Sequence, residues 1–210
     1  MATSSEIQVT EAYIGLLGRA PDPAGLAYWT AQLDAAIAAG QSPAVALKRL
    51  TNDITLSAEW DSGIGANDGT TEAGSEAIVT AMYDNLFDRA ATQAELDYWA
   101  PKIVSGEFTA SEMAVALIQG AGEIDGQVLG YKQQAATYYV ENVPQDNFSR
   151  ESAAESVVDV NGPITLQTSQ TSTDYVSTGV GVTTNLTTAA TPASVTMTAG
   201  ADTVLSLIHI

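Results

Sequence analysis

The chain contains no cysteine, and this absence excludes disulfide bonds, thiolate zinc sites and cysteine nucleophiles. Basic residues are scarce as well: 7 Lys and Arg stand against 25 Asp and Glu, giving a formal net charge of −18. Binding to nucleic acid or to anionic lipid depends on clustered basic side chains, so the composition argues against both. The acidity has two readings: it keeps an extracellular protein soluble, or its carboxylates bind divalent cations.

Two further absences concern export and the membrane. No apolar run approaches the ~20 residues needed to span a bilayer, so we expect no transmembrane segment. Residues 1–6 lack the basic and apolar regions of a Sec signal. If the protein is secreted, we expect an export route that does not read the N-terminus.

The only histidine, His209, lies in the hexapeptide Leu205–Ile210. This hexapeptide matches the translation of a common sequencing adapter, so we expect residues 205–210 to be an artefact and the native sequence to be interrupted there. The alternative is a genuine short apolar strand. Without His209, no Ser-His-Asp triad or histidine general base is possible.

Other catalytic signals are equally scarce. The sequence contains no P-loop and no dinucleotide-binding glycine motif. A pair of carboxylates, as in glycoside hydrolysis, is the remaining catalytic alternative. We therefore expect a protein that is not an enzyme, with no catalytic residue and no cofactor.

An internal repeat organises the first 120 residues. Residues 5–47 and residues 75–117 align without a gap at a shift of 70, with 16 identities in 43 positions. Each copy predicts three helices, because apolar residues recur at i, i+4, i+7 and i+8. Asp22 and Ser42 are predicted N-caps in the first copy, and Thr92 with Glu95 forms a predicted capping box in the second.

We expect a mainly α fold of two tandem three-helix repeats plus extra helices, followed by an incomplete Thr-rich β segment. Residues 1–72 form the first copy. Residues 73–160 form the second copy, with a loop at 120–130 and further helices at 131–142 and 149–158. Residues 161–204 are predicted to begin a β-rich domain, because apolar residues alternate there, as at Ile164 and Leu166.

Several residues recur at equivalent positions of both copies and are predicted to anchor the repeat. The Tyr-Trp pairs, Tyr28-Trp29 and Tyr98-Trp99, have two readings: the tryptophans fall on the apolar helix stripes and pack in the core, or the pairs stack on sugar rings. Two arginines follow a helix end, where unpaired carbonyls attract a cation. The complete set of anchors is Tyr13, Arg19, Asp22, Tyr28, Trp29, Tyr83, Arg89, Tyr98 and Trp99.

Metal ligands are suggested at two places. Asp61, Asp68 and Glu72 lie in the segment between the copies, and Asp61 and Glu72 have the separation of the first and last EF-hand ligands. The glycines inside that segment occupy positions that need side-chain oxygens. Asp202 lies in a Gly-x-Asp-x-apolar sequence, as in the nonapeptide turns that bind calcium between successive turns of β-rolls. We expect any calcium to bind in repeats beyond the sequence given.

The segment from Tyr13 to Trp29 resembles the signature of a bacterial family known only as a domain of unknown function. The ending Ser57-Ala58-Glu59-Trp60 resembles the family's Ser-x-Glu-aromatic ending. The resemblance covers about residues 5–120 and is closer in the first copy. It implies S-layer-like or RTX-type secreted proteins that a type I apparatus exports. No site residue is carried over from it.

These observations favour a non-catalytic N-terminal module of a secreted bacterial surface protein, S-layer-like or an RTX-type adhesin, which presents or anchors a downstream β-rich domain. Its partners would be a cell-surface protein or glycan, or further copies of itself. Two alternatives stay open: an accessory scaffold of a secreted enzyme whose catalytic domain lies elsewhere, and a carbohydrate-binding module.

Overall fold

The structure is a computed structural model that describes residues 2–178, 181–183, 195–199 and 203–207. The described residues are mainly helical, as the sequence predicts, and contain ten α-helices and two short 3-10 turns. The α-helices are α1 (Ser4–Leu17), α2 (Pro23–Ala38), α3 (Pro43–Ile54), α4 (Ala58–Ser62), α5 (Glu72–Phe87), α6 (Gln93–Val104), α7 (Ala110–Gly120), α8 (Glu123–Asn142), α9 (Arg150–Glu155) and α10 (Pro163–Ser177). None of them combines the length and the apolar character needed to cross a membrane.

Local hydrogen bonds at the helix starts match the predicted caps. The Asp22 carboxylate accepts from the backbone N–H of Gly25 at 2.7 Å, and Thr92 and Glu95 form a reciprocal capping box. Such caps satisfy backbone donors that have no partner inside the helix. Pro101 lies inside α6, and the helix ends three residues later at Val104.

The two copies share one hydrophobic core. The equivalent helices α1 and α5 pack against each other, as do α3 and α7. Leu16 and its counterpart Leu86 are fully buried, and a Cβ added at Gly15 would lie 3.0 Å from the Leu86 side chain. Burying such side chains stabilises a fold by roughly 1.5–3 kcal/mol each. Residues 1–72 and 73–160 therefore support each other rather than packing as independent units.

The register of the third helix differs from the ungapped alignment. The N-caps Ser42 and Thr109 are 67 residues apart rather than 70. The burial pattern follows the same offset, since buried Ala46, Leu47 and Leu50 correspond to buried Met113, Ala114 and Leu117. The identity of residues 44–47 with 114–117 therefore does not join equivalent positions. The cause is α6, which is four residues shorter than α2, while the connection from α6 to the next N-cap is one residue longer.

The segments around the repeat contain more helix than the sequence predicts. The linker between the copies, expected to be a loop from residue 61, includes the end of α4 and a 3-10 turn at Ile64–Ala66. The predicted loop at residues 120–130 is mostly the first part of α8. Helix α8 packs against α1, α5 and α10, and its buried face accounts for its length.

The prediction that strands begin after residue 161 is wrong for Ile164, Leu166 and Val176, which lie in helix α10. Pro163 occupies the first helical position, where its missing N–H costs nothing, and the Thr-rich composition did not prevent a helix that packs on α8. Three short antiparallel strands follow, β1 (Gly181–Thr183), β2 (Val195–Ala199) and β3 (Thr203–Leu207), in the order β1-β2-β3. They do not establish a β-rich domain, which stays a prediction.

Glu11 provides a test of this packing. It lies on α1 among buried neighbours and makes no side-chain hydrogen bond or ion pair within the described residues, and burial raises its pKa to about 7. The unfolded chain loses this proton near pH ~4.3. Native stability therefore falls as the pH rises from that value to about 7, because the unfolded state ionises first.

We expect Glu11→Gln to stabilise the protein by about 1–3 kcal/mol at pH 8 and to leave it unchanged near pH 4. Urea unfolding at the two pH values measures this. Glu141→Gln, on an exposed position of α8, is the matched control and should change stability little at either pH. Equal effects of both variants at pH 8 would contradict the assignment of this pH-dependent stability to Glu11.

Candidate functional site

Arg19 holds the end of the first copy to its beginning. Its Nε and Nη2 donate to the two carboxylate oxygens of Glu59 at 2.5 and 2.8 Å, and Nη1 donates to the carbonyl of Ala20 at 2.8 Å. The guanidinium also lies 5.1 Å from the ring centroid of Tyr13 and 5.4 Å from that of Phe148. Burial of Glu59 opposes its ionisation, but Arg19 outweighs this and lowers the pKa of Glu59. Bidentate pairing of this kind fixes geometry as well as charge.

Each residue of the Ser-x-Glu-aromatic ending makes a specific contact in the structure. Ser57 caps α4 by accepting from the backbone N–H of Trp60, Glu59 pairs with Arg19, and Trp60 is buried in the core. The three side chains therefore cap, clamp and pack the short helix that closes the first copy.

Arg89 performs the same role in the second copy with different acids. It forms a bidentate pair with Asp125 on α8, at 2.9 and 2.7 Å, and another with Glu95, at 3.0 and 2.8 Å. The hydrogen bonds from Arg89 lower the pKa of Glu95 to about 2. Asp125 was missed in the sequence because the second copy lacks the Ser-x-Glu-aromatic ending, and the acid comes instead from the first turn of α8.

The two equivalent tyrosines, Tyr13 and Tyr83, are buried beside these arginines. Burial, reinforced by the Asp22 carboxylate, raises the pKa of Tyr13 to about 12. A Cβ at Gly25 would lie only 2.7 Å from the Tyr13 hydroxyl. The second copy has Glu95 at the aligned position and directs that side chain to Arg89 instead.

The Tyr-Trp pairs separate into buried and exposed members. Trp99 is 9% exposed and donates from Nε1 to the Tyr83 hydroxyl at 3.3 Å, and Trp29 packs partly buried against the core. Tyr28 and Tyr98 are 57% and 55% exposed, so in each pair it is the tryptophan that packs against the core. They sit one residue before the tryptophans and point away from the apolar stripe.

A cavity of about 330 Å³ lies between α2 and α3. Buried Leu33, Ala46 and Leu50 form its apolar floor. Its remaining lining includes Tyr28 and Trp29, whose rings meet edge to face at 4.9 Å, together with the polar side chains of Gln32, Arg49 and Asp53. Aromatic surface beside a few polar groups is typical of small-molecule sites. Sequence reasoning named the aromatic pair but missed Gln32, Arg49 and Asp53, because only the α2–α3 contact brings them together.

The second copy has larger, apolar side chains at the corresponding positions. At the offset of the third helix, Met113 stands where the first copy has Ala46, and Met113 is fully buried. Phe108, directly before the α7 cap, packs on Trp99 with ring centroids 5.5 Å apart. Ala116 and Gly120 stand in place of Arg49 and Asp53. The duplicated aromatic pair therefore borders a cavity with polar lining in the first copy, whereas apolar side chains stand at the equivalent positions in the second.

A larger opening, of about 480 Å³, lies beside Arg19. Most of its charged lining is already paired, since Arg19 and Arg150 both contact Glu59, and Glu151 is the lining charge without an ion pair within the described residues. This opening therefore offers fewer free polar groups to a ligand than the α2–α3 cavity does.

The metal candidates do not converge. Within the described residues, no three His, Cys, Asp or Glu side chains are placed to share a metal ion. Asp68 instead accepts from the backbone N–H and the hydroxyl of Thr70, at 3.0 and 2.6 Å, in a local turn. Glu72 is the first residue of α5, and Asp61 is exposed on α4. Asp202 lies outside the described residues.

Lys132 is a buried polar residue that sequence reasoning missed. Its ammonium donates to the carbonyl of Val157 at 2.9 Å and to Asp88 at 3.4 Å. Burial lowers the pKa of Lys132, and Asp88 opposes that shift. Asn161 donates to the other Asp88 oxygen at 2.6 Å. Asp88 follows α5 and has a left-handed backbone conformation. Its contacts therefore connect α8 and the segment after α9 to the second copy. The contacts are structural.

Residues 52–124 match a family model described as Domain of unknown function (DUF4214). The match covers about a third of the chain: the end of the first copy, the linker and the second copy. The sequence signature is closer to its family in the first copy, whereas this match falls mainly on the second. No curated protein and no solved structure matches the chain.

The ion pairs of Arg19 and Arg89 can be compared with a matched pair of variants. We expect Arg19→Lys to destabilise the protein by about 1–3 kcal/mol, because lysine cannot form the bidentate bond and Glu59 would stay partly buried. The Arg89 side chain is 34% exposed, against 6% for Arg19, so Arg89→Lys should cost less. Urea midpoints measure both. A larger loss of stability from Arg89→Lys would show that the ion pair of Arg19 does not contribute more to stability than those of Arg89.

Proposed function

We propose that this chain is a non-catalytic helical module of a secreted bacterial surface protein, S-layer-like or an RTX-type adhesin. In this proposal the module presents or anchors a β-rich domain that follows it. It acts by contact with a surface protein, a glycan or further copies of itself, and calcium acts in downstream repeats.

The main support for the proposal is that the side chains shared by both copies make contacts inside the protein. Tyr13 and Tyr83 are buried. Arg19 forms an ion pair with Glu59, and Arg89 forms one with Asp125, so both arginines are paired inside the protein. Side chains retained after duplication thus hold the helices together rather than converge on a reacting group. The net charge of −18 suits a soluble module outside the cell, since self-repulsion limits association.

A second candidate is an accessory scaffold of a secreted enzyme whose catalytic domain lies elsewhere. The same internal ion pairs support it, because a rigid helical unit could equally position a catalytic domain. The two candidates differ in what the cell loses without the module: attachment in the first case, activity in the second.

Cell fractionation tests the proposal. An antibody against residues 2–178 is applied to intact producing cells before and after external protease, and to the culture medium. We expect signal on the surface or in the medium, with the surface signal lost on proteolysis while a cytoplasmic marker is intact. Signal only after lysis would contradict the surface assignment.

An in-frame deletion of the codons for residues 5–178 separates the two candidates. The surface-module proposal predicts that the remaining polypeptide is exported but detaches or loses its display. Unchanged display with a loss of enzymatic activity in the remaining polypeptide would favour the accessory scaffold instead.

A further inference from the structure

We propose that the cavity between α2 and α3 binds an uncharged pyranose ring of a glycan, which packs against the aromatic surface of Trp29 and Tyr28 while Arg49, Asp53 and Gln32 form hydrogen bonds with its hydroxyls. This inference rests on the proposed function for its biological setting and names the ligand through which the module would contact a surface.

Arg49 is the first support. All seven basic side chains of the protein lie in the described residues, and six of them form an ion pair there. Arg49 alone among them has none within that part of the chain, although acids outnumber bases by more than three to one. Its donors are therefore available to a ligand, and it lines the α2–α3 cavity.

Asp53 supplies the acceptors. It follows Arg49 by four residues on α3, so the two side chains share one helix face. The Asp53 carboxylate makes no hydrogen bond within the described residues, and both side chains line the cavity. A guanidinium and a carboxylate side by side present donors and acceptors together, a combination that matches neighbouring hydroxyl groups.

The aromatic surface fits a sugar ring. Tyr28 is 57% exposed and Trp29 partly buried, and their rings are roughly perpendicular. The C–H groups of a pyranose carry a small positive partial charge and pack against the negative face of an aromatic ring. A cavity of about 330 Å³ lies within the ~300–1,000 Å³ range of small-molecule sites.

Charge selects an uncharged sugar over an acidic one. The Asp53 carboxylate would lie beside any bound carboxylate and repel it, and the chain's net charge of −18 repels anionic polymers. A neutral pyranose avoids both penalties and still uses the Arg49 donors.

The second copy supplies an internal comparison. It keeps a Tyr-Trp pair but places Met113 at the floor position of Ala46, Phe108 against the tryptophan, and Ala116 and Gly120 at the polar positions. Lys102 covers Tyr98 at 5.0 Å from its ring centroid. The first copy alone combines aromatic surface, open floor and unpaired polar groups.

The test uses the whole chain and the methyl glycosides of glucose, galactose, mannose and N-acetylglucosamine, with short oligosaccharides of each. Titration calorimetry and saturation-transfer NMR measure binding. We expect at least one neutral sugar to bind with a Kd in the micromolar to millimolar range, as ligands of this size do. Methyl glucuronide, the acidic counterpart, should bind at least tenfold more weakly.

Ala46→Met is the decisive variant, because the second copy already accommodates methionine at that position. It should fill the cavity and reduce binding at least tenfold while the circular dichroism spectrum and urea midpoint stay close to those of the parent. Arg49→Ala and Asp53→Ala should each weaken binding by a similar factor. Tyr28→Ala and Tyr98→Ala form a matched exposed pair, of which only the first should affect binding.

Three results would overturn the inference: no binding of any neutral sugar in the panel, undiminished binding by a folded Ala46→Met variant, or an equal loss from Tyr98→Ala. Tighter binding of the glucuronide would replace the neutral ligand with an acidic one. Each outcome is independent of the fractionation experiment, so a failed sugar site and a failed surface assignment are told apart.

Discussion

The contact between α1 and α5 is the constraint on which the rest of the structure depends. These helices are the first elements of the two copies, and each buries its apolar stripe against the other, with Leu86 seated close to Gly15. A three-helix copy alone would expose this stripe to water. The duplication therefore makes one folding unit, against which α8 packs through both α1 and α5, and α10 packs on α8. The ion pairs of Arg19 with Glu59 and of Arg89 with Asp125 then hold α4 and α8 to this unit.

Duplication also explains where a ligand could bind. Both copies need a tryptophan on the second helix to fill the core, so the aromatic residue persists for packing. The residues around it differ between the copies: in the second copy Phe108 packs on Trp99, and the fully buried Met113 stands at the position of Ala46. In the first copy, the small Ala46 leaves space beside Trp29, and Arg49 and Asp53 face it. Trp29, which both copies need for packing, thus also borders the α2–α3 cavity of the first copy.

Periodicity and capping residues predicted the helices of both copies, because those signals are local. The third-helix offset, the Arg89–Asp125 pair and the cavity depend on which helices meet, and spacing along the chain does not contain that information. Alternating apolar residues at 164 and 166 misled the prediction for α10, since alternation over a few residues fits either period and packing on α8 decided between them. The recurrence of the Tyr-Trp pairs in both copies indicates common descent, and only burial separates the tryptophans that pack against the core from the exposed Tyr28 and Tyr98.

The central claim is that the first copy alone has a ligand site on a module otherwise built for packing. The chain contains three tryptophans, Trp29 at the cavity, Trp60 in the core and Trp99 at the equivalent position of the second copy, so their indole N–H signals report on three separate places. We would follow these signals in two-dimensional NMR spectra during titration with neutral sugars. The account predicts that the Trp29 signal shifts progressively while those of Trp60 and Trp99 stay fixed. A shift at Trp99, or no shift at Trp29 when sugar binds, would contradict it.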